Sequence, residues 1–115
     1  MQVKLTTTGR KTGEPREVTL YAWLDGDTDL VLVGSQGGKP SDPAWAFNLR
    51  DEPMCTVKRG KTTTIYRATE VDGTDATRDR LWDLVTAAFP MYRSYQKKTE
   101  RLIPLFVLTP VDQPG

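Results

Sequence analysis

The residue types best suited to chemistry lie between positions 8 and 48. Gly9-Arg10-Lys11-Thr12-Gly13, followed by Arg16, sets three cations around a tight turn. Ser35-Gln36-Gly37-Gly38-Lys39-Pro40-Ser41-Asp42-Pro43-Ala44-Trp45 then supplies bare backbone amides leading into a helix start. Glycine lets the main chain approach a ligand closely, a helix N-terminus carries partial positive charge, and arginine or lysine neutralises phosphate. Together these stretches describe a cradle for an anionic ligand with a flat aromatic part. A solvated turn and a plain strand-to-helix connection are the simpler alternatives for the same residues. Further along, Phe89, Tyr92 and Tyr95 stand three apart across Pro90, so a helical segment there places them on one face. Such a face either lines a pocket or packs the segment onto a sheet.

Missing residues exclude other chemistry. The chain has no histidine and one cysteine, which removes triads, zinc hydrolases, histidine-ligated haem and any internal disulfide, so no metal is expected. Cys55, in a strand-like run after Pro53-Met54 and with no histidine to activate it, reads as a small packing residue. Sixteen basic residues against 15 acidic ones leave a net charge of +1, too little for a global basic field, so no nucleic-acid partner is expected. A single-strand-binding barrel with aromatic stacking platforms ranks low for the same reason. No apolar run reaches the ~20 residues of a membrane span, and Met1-Gln2-Val3-Lys4 shows no signal-peptide core. A freely soluble cytoplasmic protein, monomer or homodimer, is the expectation.

The elements that must hold these residues follow from alternation and turn chemistry. Strands are expected over 3–7, 17–24 and 30–34, forming a meander through the glycine turn and the hairpin signal Asp25-Gly26-Asp27. Ser41 or Asp42 should cap a short helix with Pro43 in its first turn, bringing Trp45, Asn48 and Leu49 together, and the helix should end near Pro53. A second hairpin over 54–58 and 63–71 turns at Arg59-Gly60-Lys61. A helix from Thr74 to about Ala88 should bury Leu81, Leu84, Val85 and Ala88, leaving Asp75, Arg78 and Asp79 outside. Pro90 interrupts it, a short helix covers 91–98, and 105–108 is a final strand before a tail ending Pro114-Gly115. With 115 residues there is room for one domain, 1–115. The expected class is α+β, mainly β: a six-stranded antiparallel split β-barrel flanked by two or three helices, with an open sheet as the alternative. The charged run 93–101, with Arg93, Lys97, Lys98 and Arg101, reads as a solvated face that can attract an anionic ligand. Trp82 reads as core or boundary, and Trp23 is open to either role.

Several motifs together resemble the deazaflavin-dependent nitroreductase family of actinobacteria: Leu5-Thr6-Thr7-Thr8-Gly9-Arg10-Lys11-Thr12-Gly13-Glu14-Pro15-Arg16, Gly34-Ser35-Gln36-Gly37-Gly38, Pro43-Ala44-Trp45 with Asn48-Leu49, and Phe89-Pro90-Met91-Tyr92-Arg93-Ser94-Tyr95-Gln96. The resemblance covers residues 5–110. It implies a split-barrel reductase using reduced coenzyme F420, a deazaflavin with a phosphodiester and an oligoglutamate tail, on quinone, nitroaromatic, nitroimidazole or activated-alkene acceptors. It assigns cofactor binding to Arg10, Lys11, Thr12, Arg16, Val33, Ser35, Gln36, Gly37, Gly38, Ala44, Trp45 and Asn48, with Lys39 extending the basic patch. Trp45, Phe89, Tyr92 and Tyr95 border the substrate, and Ser35, Tyr92 and Tyr95 are the candidate catalytic donors. Hydride chemistry needs no histidine, because the cofactor carries the reactive carbon. A related split-barrel protein binding flavin mononucleotide (FMN), or a cofactor carrier without turnover, is the runner-up.

The chain departs from the family pattern at three points. Gln36 stands where lysine is common, which exchanges a charge for a neutral donor. Phe89 stands where the nitroimidazole-activating member has tyrosine, removing one hydroxyl and arguing against nitroimidazole reduction. The sequence also starts almost at the first strand, without the N-terminal extension of many relatives.

Overall fold

Alternating burial along the strands sorts the apolar residues onto two faces. In a computed structural model that describes residues 1–111, Val3, Leu5 and Thr7 of β1 (Gln2–Thr8) point inward while their neighbours face out. β2 (Pro15–Asp25) and β3 (Asp29–Val33) complete the meander. A 3-10 turn (Gln36–Gly38) and α1 (Ala44–Asp51) follow, then β4 (Met54–Arg59), β5 (Thr62–Glu70), α2 (Ala76–Ala88), α3 (Met91–Lys97) and β6 (Leu105–Pro110). Among the described residues the six strands close in the order β1-β2-β3-β6-β5-β4, every neighbouring pair antiparallel. The expected barrel is thus present, and closure leaves no strand at an open edge of the sheet.

Two cores hold it. Leu30, Leu32, Phe106, Leu108, Leu5 and Val57 fill the barrel interior, with Trp45, Ala46 and Leu49 of α1 packed against them. On the outside of β3 and β6, Val31 and Leu105 meet Leu81 and Val85 of α2 and Tyr92 of α3. Leu30, Val31 and Leu32 are all fully buried because helices cover the outer face of that strand. β2 is longer than its neighbours require. Residues 15–21 pair with β1, whereas residues 22–25 pair with β3, so the first half of β2 has no ladder partner on the β3 side.

Four details depart from the sequence expectation. Pro43 occupies the N-cap of α1 with no side-chain cap, because the Asp42 carboxylate is engaged by arginines from elsewhere in the chain. α2 starts at Ala76 with Asp75 as its cap, accepting from the Thr77 amide at 2.9 Å. Arg78, expected outside the apolar stripe, is buried: it stacks over Trp82 and donates to the Ile103 carbonyl at 2.8 Å. Ala88, placed on the stripe, is exposed. Pro114 and Gly115 lie outside the described residues. No helix among the described residues is long and apolar enough to cross a membrane.

Candidate active site

A cleft of about 860 Å³ opens along the half of β2 that β3 does not reach. Its rim is the β1–β2 turn, where Arg10, Lys11, Thr12 and Arg16 all face it. Val33, Ser35, Gln36 and Gly37 come in from the end of β3 and the 3-10 turn. Ala44, Trp45 and Asn48 of α1 close one side, and Phe89, Tyr92 and Tyr95 close another. Residues more than 80 apart in sequence therefore meet in one place. Gly38 and Lys39 do not reach it. At φ +84°, Gly38 is buried against α3, where an added Cβ would come within 2.8 Å of the Tyr95 carbonyl oxygen. Its glycine is needed for helix packing. The floor from Glu17 to Tyr21 carried no sequence signal beyond ordinary strand alternation.

The basic turn is held rigid by neutral groups. Gly9 donates to the Glu14 carbonyl at 2.8 Å, and Gly13, at φ +73°, donates back to the Gly9 carbonyl at 2.7 Å. Buried Asn48 ties the turn to the barrel: its Oδ1 accepts the Arg10 amide and its Nδ2 donates to Thr7 Oγ1, both at 3.1 Å. The Arg10 guanidinium lies 4.8 Å from the centroid of the Phe47 ring, and Arg16 Nη2 donates to Thr12 Oγ1 at 3.4 Å. Among the described residues, the ion pairs involve Arg50, Arg80, Arg93 and Arg101 and none of the cations at this turn. Three positive charges beside the cleft are thus left without a carboxylate partner among the described residues. Glu17 borders the same cleft but is not within ion-pair distance of them.

The opposite wall is held by a residue that sequence pattern assigned to a solvated face. Arg101 is largely buried, and its guanidinium donates to the carbonyls of Gly34 (3.1 Å), Ser35 (2.8 Å) and Lys39 (2.9 Å) and to Asp42 Oδ1 (2.6 Å). Asp42 Oδ2 in turn pairs with Arg50, which forms a two-point contact with Glu70. Gln36, at φ +45°, spends its side-chain amide on the Ser41 carbonyl at 3.0 Å, so only part of that residue is available to a ligand. Ser35 is buried at the cleft wall.

The aromatic wall is a packed cluster. Phe89 and Tyr92 centroids are 4.9 Å apart and Tyr92 and Tyr95 6.4 Å apart, so the three rings do cluster, but only Tyr92 and Tyr95 share a helix: Phe89 is the non-helical C-cap of α2 and joins them from the end of that helix. Tyr92 is buried, and its hydroxyl accepts from Trp23 Nε1 at 3.0 Å. Burial pushes the phenol above its ordinary range, with the indole N–H pulling the other way, so Tyr92 stays protonated at neutral pH. Cys55 lies in the barrel core away from the cleft, where burial pushes its thiol up to about 12 and keeps it unreactive.

The family model for F420H(2)-dependent quinone reductases matches residues 1–110 of this chain. The chain belongs to this family. It is an F420H2-dependent reductase. The F420H(2)-dependent quinone reductase Rv1261c of Mycobacterium tuberculosis is 39% identical over 106 residues, covering 91% of this chain and 70% of that protein. A solved F420-H2 dependent reductase, FDR-A, superposes with a TM-score of 0.81 at 37% identity, covering 93% of this chain and 92% of the other. A second solved chain, described as a domain-swapped dimer, gives a TM-score of 0.82 at 37% identity, with 93% and 78% covered. The haem storage protein HutZ of Vibrio cholerae shares the fold alone, with a TM-score of 0.71 at 12% identity over 97% of this chain and 82% of that one. In this reductase, the donor set suits coenzyme F420. Among the described residues, cations without acidic partners match an anionic tail, Gly37 lines the cleft with nothing within 4 Å of an added Cβ, and an aromatic wall stands beside them.

Proposed function

We propose that this reductase reduces quinones with electrons from F420H2 held in the cleft along β2, the chain 1–115 acting as one deazaflavin-binding domain. The observation that supports this most is the set of cations, Arg10, Lys11 and Arg16, that have no ion pair among the described residues and stand beside a cleft with an aromatic wall. Those side chains would hold the phosphodiester and the glutamate tail by charge-assisted hydrogen bonds. Thr12, Val33, Ser35, Gln36 and Gly37 would line the cofactor with hydroxyl, amide and backbone groups, while Ala44, Trp45 and Asn48 close around it. When bound, F420H2 supplies a hydride. The protein's part is to exclude water, to place the acceptor against the ring, and to offer a proton to the oxygen that gathers negative charge. Tyr92, Tyr95 and Ser35 are the donors available for that. Nitroaromatic and activated-alkene compounds are further candidate acceptors, while Phe89 adds apolar surface but no hydroxyl, which makes nitroimidazoles poor ones.

Titration with F420, FMN and nicotinamide nucleotides, followed by oxidation of the reduced cofactor with menadione and with a nitroaromatic, tests this. Selective binding of F420 and rapid F420H2 oxidation by menadione are expected. Preference for FMN, or F420 binding without oxidation by any acceptor, would replace the proposal with the FMN-binding or carrier alternative.

A further inference from the structure

The Tyr92 hydroxyl has one polar partner among the described residues, and that partner is a donor: Trp23 Nε1 at 3.0 Å. An indole nitrogen only donates, so it occupies a lone pair of the phenol oxygen and leaves the hydroxyl proton unspent. Tyr92 is 7% exposed, so solvent has little access to that proton. The aromatic neighbours of the phenol, Phe89 at 4.9 Å and Tyr95 at 6.4 Å between centroids, restrict the ring. Tyr92 is one of the residues that line the cleft. Trp23 itself does not line the cleft. Its ring stacks on Tyr21 at 6.1 Å and 14° and meets Tyr92 edge-on at 85°, which holds the indole from both sides. Tyr95, the other phenol on the wall, has no comparable side-chain hydrogen bond among the described residues and instead lies beneath Lys98.

Resting on the quinone reductase proposal above, we infer that Trp23 is a positioning residue that makes Tyr92, rather than Tyr95, the hydrogen-bond donor to the acceptor substrate, and so selects acceptors that present an oxygen lone pair beside the reducible centre. An acceptor carbonyl satisfies the unspent proton. An acceptor lacking oxygen there leaves a buried donor unpaired, which costs affinity and rate.

The test uses ligand-free protein first. With tryptophan labelled by 15N, the Trp23 indole N–H, assigned from Trp23→Phe or by through-bond experiments on the unmutated chain, should exchange slowly with water and should move upfield and exchange faster in Tyr92→Phe. Turnover then follows. Trp23→Phe should lower kcat with menadione by about 3- to 10-fold while changing the KM for F420H2 less than about twofold. Trp23→Phe combined with Tyr92→Phe should be no slower than Tyr92→Phe alone. An indole signal indifferent to Tyr92→Phe, or a double variant slowed by the product of the two single effects, would overturn the inference. Wild-type protein that fails to oxidise F420H2 with menadione would instead overturn the quinone reductase proposal, while the indole measurement on ligand-free protein would still decide the hydrogen bond.

Discussion

Two sets of basic residues support the same cleft and are built in opposite ways. In one set, Arg101 and Arg50 are saturated with acceptors: seven oxygen atoms, three of the loop, two of Asp42 and two of Glu70, accept from them at 2.6 to 3.1 Å. In the other set, Arg10 is steadied by an aromatic ring and by the Asn48 amide on its backbone, and Arg16 by a hydroxyl, none of which neutralises charge, while Lys11 has no ion pair among the described residues. Saturated cations hold a loop in shape, whereas cations held only by neutral partners keep their field for a ligand. The count of basic residues says nothing about this difference, and their partners decide it.

Breaking the saturated side should have the largest effect. Arg101→Gln removes the fork from three carbonyls and leaves Asp42 with Arg50 alone, so unfolding free energy should fall by about 3 to 5 kcal/mol in denaturant titrations. Arg101→Lys should recover little of it, because one ammonium cannot match the planar fork. The unpaired side should behave the other way round. Lys11→Ala with Arg16→Ala should weaken F420 binding by about 2 to 4 kcal/mol by direct titration, with the thermal midpoint nearly unchanged. Asn48 sits between the two classes: Asn48→Ala leaves the Arg10 amide and Thr7 hydroxyl without their partner, costing about 1 to 3 kcal/mol of stability together with some cofactor affinity. The smallest effect belongs to Phe47→Leu, which should cost about 0.5 to 1 kcal/mol of cofactor affinity by freeing Arg10, and nothing in an Arg10→Ala background.

How far the sequence reached follows the range of the forces involved. The β1–β3 meander is legible because strand alternation and the glycine turns are local signals, and the Tyr92 and Tyr95 pair is legible because a three-residue spacing fixes a helical face, whereas Phe89 reaches them from the non-helical end of α2. The basic turn stood out because glycines crowd three cations together. Local patterns failed where a side chain answers to a distant partner. Asp42 has the composition of a helix cap, yet its carboxylate is taken by Arg101, 59 residues away. Arg78 has the helical phase of a surface residue, yet the Ile103 carbonyl draws it inward. Gly38 looks like a ligand-approach glycine and serves helix packing. Trp23 was ambiguous because its decisive neighbour, Tyr92, lies 69 positions on.

The most direct test of the account compares F420 with a deazaflavin lacking the phosphodiester and glutamates, each titrated into wild-type protein and into Lys11→Ala/Arg16→Ala at low and high salt. Wild-type protein should prefer the tailed cofactor by at least the affinity that the double variant loses, the preference should shrink as salt rises, and it should collapse in the variant. Equal affinity of wild-type protein for the two ligands, or an undiminished preference in the variant, would contradict the claim that the unpaired cations of the β1–β2 turn hold the cofactor's tail.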